Sequence, residues 1–162
     1  MSSDDESFDA AESNSTLTFP ITAGALKKGD HIVIKGHPCK IIDISVSKTG
    51  KHGHAKASIT GLDIFTKQKM EGQAPTTHNV SAPFVTTRNY TLLDIGRDGR
   101  LSLMDDDSNT RQDLDLPLTT REEPSELAKE ITHLFHDGKE LMVTVVGAMG
   151  KEQVMSYKGS NA

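Results

Sequence analysis

The sequence contains no tryptophan, and its two tyrosines and five phenylalanines make up only 4% of the residues. A hydrophobic core must therefore be built from Ile, Val, Leu and Met. The single cysteine, Cys39, excludes an internal disulfide, which is typical of a reducing compartment, and we expect it to be a small buried core residue. No apolar run approaches the roughly 20 residues of a membrane span, and no signal-peptide hydrophobic region is present. These absences predict a cytoplasmic protein without a membrane span.

Basic residues are unevenly distributed along the chain. Residues 1–19 contain five acidic residues and no basic one, and no arginine precedes Arg88. Residues 20–85 contain nine lysines and four acidic residues, which gives a net charge of +5. Residues 86–162 contain nine basic and fourteen acidic residues, which gives −5. The pattern indicates a basic module between two acidic stretches, although the whole chain has a net charge of −5.

The first 84 residues divide into a tail and a β-rich segment. We expect residues 1–19, rich in Ser, Asp and Glu, to form a disordered acidic tail. In residues 20–84, HIVI and CKIIDISV are separated by KGHP, where Gly36 and Pro38 favour a turn. AKASITGLDIF follows as a further strand, in which Gly61 weakens the strand or marks a bulge. Short strands with tight turns predict a small β-barrel over residues 20–84.

Residues 85–162 have the pattern of a second barrel. YTLLDI and RLSLMD flank the turn GRDG, where Asp98-Gly99 suits the positive-φ positions of a two-residue hairpin turn. TRQDLDLPL can form a third strand. A helix is predicted over residues 123–136, because its apolar residues share one face and Asp137-Gly138 ends it. ELMVTVVGAM is a buried-type strand, and EQVMSYK can return beside it. Strands, one short helix and more strands predict an acidic five-stranded barrel of the OB-fold type.

The segment SVSKTGKHGHAK, residues 45–56, connects the predicted strands CKIIDISV and AKASITGLDIF, and it has basic residues but no acid and no aromatic. Gly50-Lys51 resembles the end of a P-loop, but His52 stands where that motif needs Ser or Thr, and Ser45 stands where it needs glycine. His52 and His54 alone are an incomplete zinc ligand set, so we expect no metal site. A nucleophile with its base and orienting acid is not apparent, so we expect no catalytic site.

Two interpretations of this segment remain open from the residues. One is a solvated hairpin tip with scattered charge. The other is a cationic probe for a phosphate-rich partner, since positive charge is concentrated there without a compensating acid. Base stacking would need aromatic residues, so such a probe should follow a nucleic-acid backbone instead of reading bases.

SKTGKHGHAK (47–56) resembles the hypusine-containing translation factors of the eukaryotic initiation factor 5A family. The similarity extends to HPCKI (37–41), GLDIFT (61–66), YTLLDI (90–95) and LMVTVVGAM (141–149), among other segments. It covers essentially everything after the acidic tail. The resemblance implies that the first barrel is SH3-like and that the second is an OB-fold domain.

The resemblance also implies a modification at Lys51. Deoxyhypusine synthase would transfer an aminobutyl group from spermidine to this lysine, using NAD, and deoxyhypusine hydroxylase would then add a hydroxyl to give hypusine. No cofactor of the protein itself is implied. The neighbours implied to contact RNA or the modifying enzymes are Lys48, Thr49, Gly50, His52, Gly53, His54 and Lys56.

The implied function is that of a translation factor and not of an enzyme. It would bind the ribosome in the exit-site region beside peptidyl-tRNA and ribosomal RNA, promote peptide-bond formation at stalling sites such as polyproline, and assist termination. Arg88, Arg97, Arg100 and Arg111 are candidate RNA contacts of the second barrel, or ordinary solvated charges. An exposed strand edge could support a weak homodimer. The alternative function is a generic OB-type RNA-binding chaperone or transport adaptor.

Overall fold

The computed structural model describes residues 17–48, 55–119 and 121–159. The chain divides into two compact units, Met1–Val85 and Thr86–Ala162. Their described residues form eleven strands and one α-helix. The prediction of a mainly all-β protein with two small domains, the second with one short helix, is confirmed.

The described residues of the first unit form six strands in two antiparallel sheets. The strands are β1 (Thr18–Thr22), β2 (His31–Ile34), β3 (His37–Lys48), β4 (Ala55–Asp63), β5 (Lys69–Pro75) and β6 (Asn79–Pro83). β2, β3, β4 and β5 form one sheet in that order, and β1 pairs with β6 in the other.

The first strand begins inside the segment that was expected to be a tail. Thr18 and Phe19 belong to β1, so the expected tail of residues 1–19 extends two residues too far. Residues 1–16 lie outside the described residues.

The β2–β3 turn is shorter than the KGHP prediction. Lys35 and Gly36 have φ angles of 51° and 82°, which define a two-residue hairpin turn with Ile34 opposite His37. Pro38 is part of β3 and lies opposite Val33, so its assignment to the turn was wrong. Hydrogen-bonded and non-hydrogen-bonded pairs alternate along an antiparallel ladder, and Val33 with Pro38 is a pair of the second kind. The proline nitrogen therefore points away from β2, and no hydrogen bond between β2 and β3 is lost.

The β3–β4 pair contains the irregularity that Gly61 suggested. Ile41 lies opposite Gly61 and Asp43 opposite Thr60, so the extra residue belongs to β3 and not to β4. A Cβ atom added to Gly61 would lie 2.9 Å from the Cβ of Cys39. The glycine is therefore required by close packing opposite the bulge.

The described elements of the second unit are β7 (Val85–Ile95), β8 (Leu101–Met104), β9 (Thr110–Arg111), α1 (Glu126–His136), β10 (Leu141–Ala148) and β11 (Lys151–Gly159). The strands form one sheet in the order β11, β10, β7, β8, β9. The third predicted strand is short, since β9 has two residues and the rest of TRQDLDLPL forms only two isolated bridges, Asp115 with Arg100 and Leu118 with Pro124. None of the helices described is long and apolar enough to cross a membrane.

The turn between β7 and β8 differs from the two-residue prediction. Gly96 N donates to Arg100 O at 2.7 Å, and Gly99 N donates to Gly96 O at 3.0 Å, so the loop spans five residues between the paired Ile95 and Leu101. Within this loop, only Gly99 has a positive φ, 86°. Asp98 does not take a positive φ, and its carboxylate accepts a hydrogen bond from Arg100 N. An aspartate side chain commonly stabilises a turn in this way.

Helix α1 begins three residues later than predicted. Pro124 forms a bridge with Leu118, and Ser125 is the N-cap, with its hydroxyl accepting from Ala128 N at 3.1 Å. The predicted end is confirmed: Gly138 has a φ of 83° and its N–H donates to Phe135 O, in a Schellman arrangement. The apolar face of the helix, including the fully buried Ile131, packs on the core of the second unit.

Each unit has its own hydrophobic core, built from aliphatic side chains as the composition required. Cys39 is fully buried in the first core, as predicted. The first core includes Ile32, Ile34, Ile41 and Ile59, and the second includes Leu92, Leu101, Leu103, Val143, Val145 and Val154.

We expect Gly61→Ala to lower the free energy of unfolding by about 1–3 kcal/mol, because the new methyl group must displace a buried strand. Besides the Cys39 Cβ atom, it would meet Lys40 O at 3.2 Å. Gly159→Ala is the matched control, since nothing lies within 4 Å of the added Cβ. Urea unfolding should show the loss for Gly61→Ala and little change for the control. Equal stabilities would contradict the packing argument.

Candidate functional site

Two residues of the predicted site belong to the hairpin formed by β3 and β4. Lys48 opposite Ala55 is the last described pair of this ladder. Of the predicted site residues, the structure therefore places Lys48 and Lys56 at the end of the hairpin. The other six, Thr49, Gly50, Lys51, His52, Gly53 and His54, lie outside the described residues.

The two strands of the hairpin are supported unequally. β4 pairs with β5 on its other side up to Lys56 opposite Pro75, and Thr76 N donates to Ala55 O at 3.0 Å. β4 is thus braced to its first residue. β3 pairs with β2 only over His37–Lys40, so in the described part of the chain its last residues are held by β4 alone. The ladder fixes the separation of Lys48 and Ala55 at that of a paired position.

Lys48 and Lys56 present positive charge on opposite faces of the hairpin. Lys56 lies opposite Ser47 and Lys48 opposite Ala55, and neighbouring residues of a strand point to opposite faces. Both lysines are exposed. Among the described residues, neither forms an ion pair with a carboxylate. Positive potential on both faces would attract an anionic partner from either side.

A buried carboxylate fixes the other end of the hairpin. Asp63 is only 3% exposed, and it accepts hydrogen bonds from Phe65 N at 2.8 Å and from Thr66 N at 3.1 Å. His37 Nδ1 lies 2.8 Å from its second oxygen. Burial by itself raises the pKa of Asp63, but the donors of Thr66, Phe65 and His37 outweigh it, so the pKa is lowered. This network ties the start of β3 to the end of β4.

Sequence reasoning missed the His37–Asp63 contact. Its signal was an aspartate at the end of a strand, followed directly by the β4–β5 turn, where a side chain can accept backbone N–H groups. The histidine partner is 26 positions earlier in the chain, and only strand pairing brings it close.

The thiol of Cys39 is unsuited to nucleophilic chemistry. Burial, followed by the negative charge of Asp63, raises its pKa to about 11, so the thiol is protonated near neutral pH. Within the described ranges no group of three His, Cys, Asp or Glu side chains is placed to hold a metal ion. The expectation of no zinc site at His52 and His54 stays a prediction.

The arginine candidates of the second unit differ in their surroundings. Arg111 donates to both oxygens of Glu152 at 3.0 and 2.8 Å, to both oxygens of Asp113 at 2.7 Å, and to the Tyr90 hydroxyl at 3.1 Å. These partners raise its pKa further above the ordinary range. Since β9 and β11 are the two edges of the sheet, the contact of Arg111 with Glu152 joins them. Arg111 is therefore a structural residue.

Arg100 is also engaged, with its Nε 2.6 Å from an Asp115 oxygen. Arg88 and Arg97 are exposed and form no ion pair among the described residues, so they remain candidates for RNA contact. Arg97 lines a cavity of about 740 Å³ between the β7–β8 loop and α1. This cavity contains none of the residues predicted for the modified loop.

Asp63→Asn should destabilise the protein by about 2–3 kcal/mol at pH 7, because an amide presents only one acceptor oxygen to the backbone donors and His37. The pKa of Asp63 is lowered on folding, so its contribution is present above the unfolded pKa near 4 and is lost as the pH falls through the folded pKa. Chemical denaturation between pH 7 and pH 2 should show the variant approaching the wild type at low pH.

The control for this prediction is Asp43→Asn on the same hairpin. Asp43 is exposed and pairs with an exposed lysine at 3.9 Å, so its loss should change the free energy of unfolding by less than about 1 kcal/mol. A cost for Asp63→Asn that does not depend on pH would contradict the assignment of a stabilising carboxylate.

Arg111→Lys should lower the stability by about 1–2 kcal/mol, because a lysine keeps the charge but not the fork that binds two carboxylates at once. Arg97→Lys is the matched control at an exposed position without an ion pair among the described residues. Thermal unfolding should separate the two variants. Equal melting temperatures would show that the contact between the sheet edges adds nothing.

Comparisons with known proteins cover both units. Residues 16–78 match the family model "Translation initiation factor 5A-like, N-terminal". Residues 84–158 match "Eukaryotic elongation factor 5A hypusine, DNA-binding OB fold". Together the two models span nearly all residues that the structure describes, and the second confirms the prediction of an OB-fold domain.

Individual relatives show the same similarity. The chain is 55% identical to eukaryotic translation initiation factor 5A of Trypanosoma brucei brucei in an alignment of 152 positions that covers 90% of this chain and 89% of the relative. It is 49% identical to the factor of Leishmania donovani over 99% of this chain and 98% of the relative. A solved structure of a family protein from Naegleria fowleri superposes with a TM-score of 0.79 at 46% identity, covering 88% of this chain and 99% of that one.

Proposed function

Because this chain belongs to the eukaryotic translation initiation factor 5A family, we propose that it is a hypusine-bearing translation factor that acts on the ribosome. On this proposal it binds in the exit-site region, beside peptidyl-tRNA and ribosomal RNA of cytoplasmic ribosomes. It promotes peptide-bond formation at stalling sites such as polyproline and assists termination. The observation that carries the proposal is the SKTGKHGHAK segment, which is presented by a hairpin braced to its last described pair.

Lys51 is the residue that we propose to be modified. Deoxyhypusine synthase transfers the aminobutyl group of spermidine to its side chain, and deoxyhypusine hydroxylase adds one hydroxyl. Two glycines, Gly50 and Gly53, flank Lys51 and His52, and glycine has the smallest side chain and the widest conformational range. A chain of this kind can enter the narrow site of a modifying enzyme. Thr49 and His54, with Lys48 and Lys56 of the strands, contribute to contacts with that enzyme or with RNA.

The product would act as a polyamine tethered to a rigid support. A lysine side chain is a point charge on a flexible stem, and the added aminobutyl group lengthens it and adds about one positive charge. Such an arm can interact with the phosphates at the acceptor end of a tRNA. The braced β4 strand holds the end of the segment that contains Lys51 in place.

The mechanism is one of positioning. The ring of proline fixes φ, and this makes the nascent chain and the incoming amine difficult to align. An arm that restrains the acceptor end of peptidyl-tRNA reduces the number of unproductive arrangements and so lowers the barrier. The ribosome performs the chemistry, and the protein supplies no catalytic group. Residues 20–84 carry the arm, and residues 85–162 add local RNA contacts, with Arg88 and Arg97 as candidates.

Lys51→Arg should leave the fold intact but abolish the modification, because a guanidinium cannot replace the primary amine that receives the aminobutyl group. Intact-mass measurement of protein from its native cells should show the aminobutyl-plus-oxygen increment for the wild type and none for the variant. Translation of a polyproline reporter should fall at least tenfold with the variant. Circular dichroism would verify that the fold is retained.

Lys48→Arg is the matched control, because it makes the same substitution three residues away and leaves Lys51 available. It should keep most reporter activity. Similar activities of the two variants would favour the generic RNA-binding chaperone. A wild-type protein without any mass increment on the Lys51 peptide would refute the proposal.

A further inference from the structure

The cavity of about 740 Å³ between the β7–β8 loop and helix α1 is an open groove on the second unit. Most of the residues that line it are exposed, so it is not enclosed by protein. Small-molecule sites bury most of the surface of their ligand, whereas peptide segments commonly bind in open surface grooves. We call this cavity the α1 groove.

The floor of the α1 groove is apolar. Ile95 and Leu116 are half-buried, and Ala128 is fully buried at the foot of the helix wall. Leu118 and Pro124 are exposed, and Leu118 keeps 55% of its surface accessible. Single exposed apolar residues are common on protein surfaces, but these five lie together along one groove. A ligand that covers them would gain apolar contacts.

Backbone hydrogen bonds on either side of Leu118 hold it at the groove. Thr119 N donates to Glu123 O at 2.7 Å. Ser125 N donates to Pro117 O at 3.1 Å. Because these bonds exist without a ligand, the apolar side chain does not have to be ordered during binding, which lowers the entropic cost of association.

Basic side chains line both walls of the α1 groove. Arg97 belongs to the β7–β8 loop and forms no ion pair among the described residues. The other wall is α1, where Lys129, His133 and His136 follow one another at intervals of four and three residues. Residues at these intervals share one face of a helix. An anionic ligand in the groove would therefore meet basic groups on two sides.

Two of the helix residues have carboxylate partners that do not line the groove. Lys129 Nζ lies 3.3 Å from Glu126 Oε1, and His133 Nε2 lies 3.4 Å from Asp137 Oδ2. All four side chains are more than half exposed, and ion pairs of this kind contribute little in water. Both basic groups can thus exchange these partners for an anion in the groove.

The carboxylates that do line the α1 groove are already bound. Arg100 N donates to Asp98 Oδ1 at 3.1 Å, and Arg100 Nε donates to Asp115 Oδ1 at 2.6 Å. With Arg97 and Lys129 there are three cations against two carboxylates, a surplus of one positive charge with both imidazoles neutral. The second unit as a whole has a net charge of −5, so the groove is a locally basic site on an acidic unit.

We propose that the α1 groove binds an acidic peptide segment of a partner protein, in which an aliphatic or aromatic side chain is flanked by carboxylates. The side chain covers the apolar floor and removes its surface from water, which supplies affinity. The carboxylates lie near the basic walls, and this electrostatic complementarity sets the orientation of the segment. The proposal goes beyond the ribosomal function and does not depend on Lys51 or on its modification.

RNA fits the α1 groove less well, although Arg97 is also a candidate for RNA contact. A sugar–phosphate backbone can use the basic walls but has no apolar side chain to place on the floor. None of the residues that line the groove is Phe, Tyr or Trp, the side chains on which bases stack best. An acidic peptide with an apolar side chain uses both the floor and the walls.

The probe for the test is a synthetic hexapeptide with the sequence Asp-Glu-Leu-Phe-Asp-Glu and blocked ends, titrated into the full-length protein by calorimetry. Two control peptides replace either its Leu and Phe by Ala or its four acids by Lys. We expect saturable binding of the acidic hexapeptide and binding about tenfold weaker for each control peptide, because each lacks one of the two complementary features.

Variants of the protein locate the binding site. Leu118→Ser removes the most exposed apolar side chain of the floor, and Arg97→Gln removes a cation of the wall. Each should weaken binding of the acidic hexapeptide about five- to tenfold. The matched controls are Leu93→Ser, at a leucine that is 43% exposed, and Arg88→Gln, at an exposed arginine. Neither control residue lines the groove, so both variants should bind within about twofold of the wild type.

Absence of saturable binding, or equal affinities of Leu118→Ser and Leu93→Ser, would overturn the proposal. An RNA outcome is tested with single-stranded oligouridylate in the same titration. The groove would be assigned to RNA, against the proposal, if oligouridylate displaced the acidic hexapeptide and its binding were weakened by Arg97→Gln but not by Leu118→Ser. Lys51→Arg should bind the acidic hexapeptide as tightly as the wild type, so this result is independent of the proposed ribosomal function.

Discussion

The backbone ladder between β3 and β4 is the interaction on which the rest of the candidate site depends. It brings Lys48 opposite Ala55 and so fixes both ends of the segment that contains Lys51. The ladder can do this because β5 braces β4 on its other side, and Thr76 N bonds to Ala55 O at the end of the strand. A two-stranded hairpin without such a brace has marginal stability in water. The third strand therefore stabilises the hairpin at the ends of the segment that contains Lys51.

The same hairpin separates structural polarity from functional polarity. At its base, Asp63 is buried, and its oxygens are satisfied by Phe65, Thr66 and His37. Such a carboxylate stabilises the fold because leaving those donors unpaired would be costly. Near the loop the polar groups are exposed and the fold does not need them.

In the second unit, a side-chain contact connects the two edge strands of the sheet. β9 contributes only two residues of ladder, yet Arg111 on this strand reaches Glu152 on β11 at the opposite edge of the sheet. A side-chain ion pair thus joins edges that are otherwise open to association. This use of Arg111 removes it from the set of cations available to RNA. On the proposed function, the acidic surplus of residues 86–162 would leave only a few exposed positions, such as Arg88 and Arg97, for contact with RNA.

The sequence by itself determined the class of the fold, most strands, the end of the helix and the residue chemistry of the loop. These features depend on local patterns: alternating apolar residues, Gly138 after a helix, and glycines around a lysine. Only the tertiary structure decided that Pro38 lies in a strand, that Asp63 meets His37 and that Arg111 closes a sheet. Those outcomes depend on register between distant strands, and a shift of one residue would reverse every side chain. Local patterns specify which segments become strands, whereas packing of the whole core selects their register.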